Sequence, residues 1–131
     1  MSEFAVGTYK KSHRHGPGAH VIILTGEGYS LIWPDGEPIK RYDWHEGSMI
    51  VPPDRWWHQH FNTGRERARY LALRPFQSYR YRGLSKPYKG RIDRRLGGDQ
   101  IEDDDEDPIV KKMFEEEMAK AGLKSRMTFK P

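Results

Sequence analysis

Short apolar runs broken by Gly, Pro, Asn and Asp clusters dominate the chain as far as Arg74. The stretches 4–11, 20–25, 28–33, 38–44, 48–51, 56–61 and 67–74 are each rich in β-branched and aromatic residues and too short for helices, so each reads as a strand. Trp33-Pro34-Asp35-Gly36-Glu37 is a turn signal, and Gly47, Pro52-Pro53 and Asn62-Thr63-Gly64 mark further breaks. Many short strands separated by such breaks predict an all-β sandwich or small barrel over residues 1–75.

Beyond Pro75 the pattern changes. Arg80, Arg82, Lys86, Lys89, Arg91, Arg94 and Arg95 are interleaved with Tyr79, Tyr81 and Tyr88, and residues 102–107 form an unbroken acidic run. No helical period precedes residue 108. There Asp107 can cap and Pro108 can open a helix over about 108–121, with Gly122 suited to the position just past its end. Ile109, Val110, Met113, Phe114, Met118 and Ala121 form its apolar stripe, while Lys111–Glu115 and Lys112–Glu116 are spaced as solvent-side pairs. Residues 76–131 have too little apolar content for a domain of their own. The stripe therefore needs the barrel beneath it or a neighbour's barrel across a two-fold axis, and a homodimer is expected. Basic residues beside tyrosines could suit a nucleic acid, but the acidic run in the same extension can neutralise them, so no nucleic-acid partner is expected.

The remaining composition narrows the class. In 131 residues, 35% are hydrophobic and 32% charged, so part of the chain is expected outside a packed core. There is no cysteine, which excludes disulfides and thiolate metal sites. The first residues lack a basic start with an apolar run, and no apolar stretch is long enough to span a bilayer. A cytoplasmic protein without a membrane partner is the expectation.

The histidines carry the chemistry. Five of the six lie in two clusters, His13, His15 and His20, then His58 and His60. Residues i and i+2 of a strand project from one face, so each His-x-His pair can aim two imidazoles at one point. One such pair is more often a solvated face, but two in one small domain favour a bound transition metal. Imidazole suits Zn, Cu, Fe and Ni.

Residues 47–62, with Gly47, Pro53, His58 and Asn62 correctly spaced, resemble the second motif of the cupins, departing only at Arg55, where that motif has glycine. His13, His15 and Gly26 stand where the first cupin motif has two histidines and a glycine, with His20 in place of its glutamate. The resemblance implies a small cupin barrel, a double-stranded β-helix or jelly roll, with a C-terminal extension ending in one helix. Within the cupins, His13-Arg14-His15 and Trp57-His58-Gln59-His60 look most like the gentisate 1,2-dioxygenase group, whose members hold Fe(II) with three histidines. That implies His13, His15 and His58 as ligands, with His60 behind them. His20 stays open between fourth ligand, hydrogen-bond partner and barrel wall. Fe(II) is favoured by the resemblance; Mn, Ni, Cu and Zn remain possible.

A divalent metal held by neutral imidazoles keeps its charge, and the expected substrates are O2 and a small anionic, aromatic hydroxy-carboxylate or enolate cleaved at a ring or C–C bond. His60, Gln59 and Arg14 are candidates to bind the carboxylate or move a proton, although strand parity turns Gln59 and Arg14 away from His58. Trp56, Trp57 and Tyr29 are candidates to line the pocket, Trp57 fitting ordinary barrel core as well or better. A non-catalytic binding or sensor cupin, or a metal-dependent isomerase or lyase, is the alternative.

Overall fold

A computed structural model of the chain describes residues 2–14, 20–53, 55–73 and 92–125. His15 and the basic, tyrosine-bearing stretch from residue 76 to Arg91 lie outside the described residues. Seven strands are described: β1 (Ser2–Phe4), β2 (His20–Thr25), β3 (Gly28–Trp33), β4 (Lys40–Trp44), β5 (Met49–Ile50), β6 (Trp57–Asn62) and β7 (Ala68–Leu73). One helix follows, α1 (Pro108–Lys120), after 3-10 turns at Arg94–Leu96 and Asp103–Asp105 that the sequence pattern did not announce. Among the described residues no helix is long and apolar enough to cross a membrane.

The strands form two antiparallel sheets, ordered β1-β7-β2-β5 and β4-β3-β6, which are not closed into one barrel. Phe4, Val21, Ile23, Ile50 and Ala68 from the first sheet meet Ile32 and Trp44 from the second in the core between them. Gly26 makes the corner after β2, at φ +98°, and a Cβ there would lie 2.9 Å from the Ala68 Cα, so only glycine fits.

The run expected over 4–11 is not one strand. Gly7 takes φ +74° and the Thr8 hydroxyl donates to the Ala5 carbonyl at 2.6 Å, which turns the chain after β1. Beyond this turn only isolated bridges continue the pairing, Tyr9 with Phe61 and His13 with His58.

Helix α1 covers the outer face of the second sheet. The Asp107 side chain accepts from the Ile109 amide at 3.0 Å with Pro108 in the first turn. At the other end Gly122, at φ +70°, lets its own amide reach the Ala119 carbonyl and the Leu123 amide reach the Met118 carbonyl. Val110, Phe114 and Met118 pack with Tyr9, Tyr29, Leu31, Trp33, Trp57 and Phe61 in a second core, while Ile109 from the expected stripe is 43% exposed. Because both faces of the sheet are covered, every residue of β3 and β6 is buried, whereas β2 alternates at its first four positions. Within the extension, acid and base pair locally, Arg94 with Asp105 and Arg95 with Asp104 at 2.9 Å, while Lys11 from the N-terminal segment reaches across to Glu102.

Candidate metal centre

His13 and His58 face each other across an antiparallel bridge. Each backbone amide donates to the other's carbonyl, at 3.2 and 3.0 Å, and the imidazole centroids lie 4.3 Å apart. The His13 Nδ1 is 3.1 Å from the Lys11 carbonyl, and the His58 Nδ1 is 3.2 Å from the Trp56 carbonyl. A carbonyl can only accept, so both Nδ1 atoms carry a proton, and in the neutral ring the lone pair that a metal needs is then on Nε2. The repeated contact to the carbonyl two residues earlier fixes tautomer and ring orientation alike.

His60, buried and two residues on, has its ring 5.7 Å from that of His58. Its Nδ1 lies 2.7 Å from the Ser30 hydroxyl, which also accepts from the Trp44 indole N–H at 2.9 Å. With one lone pair taken by tryptophan, the hydroxyl keeps a proton and a second lone pair, so it can either donate to the His60 Nδ1 or accept from it. His60 is thus anchored at Nδ1 by a side chain, whereas His13 and His58 are anchored there by backbone carbonyls. Ser30 and Trp44 carry no signal in the sequence beyond strand parity, and sequence reasoning missed them.

Other candidates lie elsewhere. His15 falls outside the described residues. His20 opens β2 as an exposed residue, with parity opposite to buried Val21 and Ile23, so its side of the strand is not the core side. Among the described residues no group of three or more His, Cys, Asp or Glu side chains is placed to hold a metal. Gln59 points to the helix side of the sheet, donating to Glu106 at 3.0 Å, as alternation along β6 requires. Trp57 and Tyr29 are core residues on that same side, Trp57 beneath the Arg14 guanidinium at 4.4 Å and Tyr29 stacked on Phe61 at 4.5 Å. Neither Gln59, Trp57 nor Tyr29 is brought to the histidine pair. Trp56 does share the inter-sheet side, where it lines an open cleft of about 520 Å³ with Ile32, Trp44, Ile50 and Val51, a cleft that none of the described histidines lines.

Arg14 is held by Asp99. Its Nε donates to the Asp99 carboxylate at 3.0 Å, and Arg55 donates to both oxygens of the same carboxylate, at 3.0 and 3.2 Å. Arg55 adopts φ +65°, the left-handed conformation that favours glycine, so the backbone keeps the turn where the motif's glycine is replaced. Asp99 itself is 2% exposed. Nothing in the sequence near Gly97-Gly98-Asp99 marked it.

Glu106 accepts from Gln59 and, at 3.2 Å, from the Tyr9 hydroxyl. Burial nevertheless holds its carboxyl above the ordinary glutamate range. The folded chain therefore keeps this proton more tightly than the unfolded chain. The stability this group contributes is whole below the ordinary value of 4.5 and is lost as pH rises through the raised folded-state value. Glu106→Gln should accordingly gain on the parent chain as pH rises from below 4.5 to neutrality, read as the difference between their urea midpoints. A difference that stays flat, or moves toward the parent, contradicts the assignment.

Residues 1–74 match the Cupin domain family. This chain belongs to the cupin family. A gentisate 1,2-dioxygenase from Ralstonia sp. is 37% identical to this cupin over 70 residues, covering 51% of the chain and 18% of that relative. The chain thus spans less than a fifth of that relative's length. Among solved structures, Drosophila melanogaster CENP-C bound to CAL1 is similar with TM-score 0.52 at 14% identity, over 55% of this cupin and 56% of that chain. The capsular polysaccharide assembling protein CapF of Staphylococcus aureus is similar with TM-score 0.50 at 15% identity, over 58% of this cupin and 25% of that chain. At those identities the likeness concerns the fold alone.

Proposed function

We propose that this cupin is a metal-dependent oxygenase that holds Fe(II) on His13, His15 and His58 and acts with O2 on a small anionic aromatic hydroxy-carboxylate or enolate. The observation that carries the reading is the pair of Nδ1–H contacts to backbone carbonyls, which presents two Nε2 lone pairs from facing rings. That donor chemistry fits Fe(II) and the other imidazole-binding divalent metals. The likeness to a gentisate dioxygenase supports iron and an aromatic substrate. His20, exposed on the far side of β2, is left out of the proposed ligand set.

When bound, iron held by neutral imidazoles supplies Lewis-acid and one-electron redox chemistry. The chain's own residues do the rest. His60, anchored at Nδ1 by Ser30 with its ring 5.7 Å from that of His58, is the candidate to bind an anionic oxygen or move a proton. Trp44 links the histidines to the neighbouring cleft: its indole holds Ser30 beside His60, and its ring with Trp56 walls the cleft, offering apolar surface on which an aromatic ring can pack. Arg14, engaged by Asp99 and stacked on Trp57, is assigned to holding the loop rather than to the substrate.

The test is the metal content of freshly purified chain, followed by O2 uptake on a panel of hydroxybenzoates. Bound iron with substrate-dependent O2 uptake is expected. A chain that takes up no divalent metal overturns the reading, and metal without turnover on any anionic chelator favours the binding or sensor alternative.

A further inference from the structure

The His13 segment pairs with β6 on one edge and with the C-terminal extension, beyond the residues that match the cupin family, on the other. The Arg14 amide donates to the Asp99 carbonyl at 3.0 Å, the Ile101 amide donates to the Ser12 carbonyl at 2.9 Å, and His13 bridges Gln100 as well as His58. The His13 segment is therefore clasped between β6 and residues 99–101. One carboxylate then ties this clasp to the second motif. Asp99 takes Arg14, next in sequence to His13, and also takes the two-pronged Arg55, three residues before His58.

We infer that Asp99 is a positioning residue for the metal centre, fixing the approach of the His13 segment to His58 through Arg14 and Arg55. The inference rests on the metal reading above. It accounts for an arginine in the family's glycine position: the side chain reaches a buried anion that glycine could not, and two parallel hydrogen bonds hold the turn at positive φ. It also accounts for the burial of Asp99, since a carboxylate with 2% exposure is stable only when paired. The Asp99 charge has a further effect, offsetting one of two guanidinium charges near a site meant for a cation.

Position and charge can be separated in the full-length chain with Co2+ alone as the probe, titrated by its visible ligand-field spectrum. Asp99→Asn keeps the shape and is expected to weaken Co2+ binding by roughly tenfold and to alter the spectrum, the low end of what losing a direct partner of a metal ligand does, because Asp99 acts one step further out through Arg14 and Arg55. Arg55→Gly takes the left-handed turn without strain and removes a positive charge, so a purely electrostatic role would leave affinity equal or higher. Positioning requires that it fall, by roughly tenfold or less for one arm of the clasp. Glu117→Gln breaks the pair that ties α1 to Arg41 of β4 and should lower the melting temperature slightly while leaving Co2+ affinity alone. Should Asp99→Asn not fold, Arg55→Gly decides the matter. Wild-type Co2+ binding with both variants unchanged overturns the positioning role alone; a wild-type chain that takes up no Co2+ overturns the metal reading and this role with it.

Discussion

Replacing His58 with alanine is expected to abolish tight divalent-metal binding. The loss should exceed about 100-fold, above the range for an outer-shell partner, because a ligating nitrogen itself is removed. His58 is 4% exposed and bridges His13 through backbone groups that alanine retains, so the segment keeps its pairing. What disappears is one of two rings 4.3 Å apart, and with it one of the two lone pairs set by backbone carbonyls. His45 provides the comparison. It is exposed, its Nδ1 is held by the Glu46 carbonyl at 2.8 Å, and it lies outside both clusters, so His45→Ala should leave affinity unchanged. Calorimetric titration with Zn2+ checks both. Equal affinities for the parent and His58→Ala would remove His58 from the site and with it the argument from ring tautomers.

The strands were legible because alternation and turn chemistry are local. The Trp33-Pro34-Asp35-Gly36-Glu37 signal became a turn closed by the Glu37 amide on the Pro34 carbonyl at 3.1 Å, with Gly36 at φ +79°. Helix α1 was legible because its caps, Asp107, Pro108 and Gly122, sit within a residue of where chemistry places them. Parity alone put Gln59 on the opposite face from His58 and His60, and the structure explains where it went: to Glu106, under the helix.

What stayed hidden depends on distant partners. β6 is buried at every position because two layers cover it, so Trp57 and Trp56 look alike in sequence while one faces the helix and the other the inter-sheet cavity. Asp99 meets Arg14 across 85 residues and Arg55 across 44, and no local pattern encodes such a meeting. Arg55 was visible as a departure from the cupin motif, but only its φ of +65° shows that the turn survived the change of residue.

The same two-layer burial makes Phe114→Ala the most damaging change expected away from the histidines. Phe114 is fully buried, edge-on to Tyr9 at 4.9 Å and 5.6 Å from Phe61, which in turn stacks on Tyr29. Truncation removes the ring's transfer free energy and leaves a cavity between a helix and a sheet, two elements that cannot easily collapse onto each other. The cost should be about 3–5 kcal/mol, toward the upper end where aromatic neighbours lose their partner. Ile109, on the same helix but 43% exposed, should lose only a few tenths when cut to alanine, about what a surface substitution costs. Urea unfolding of the two variants reads the contrast directly. A Phe114→Ala chain within about 1 kcal/mol of the parent would mean that the helix is not seated on the sheet. The second face of β6 would then be open to solvent, and its buried Gln59 and Trp57 would have no explanation.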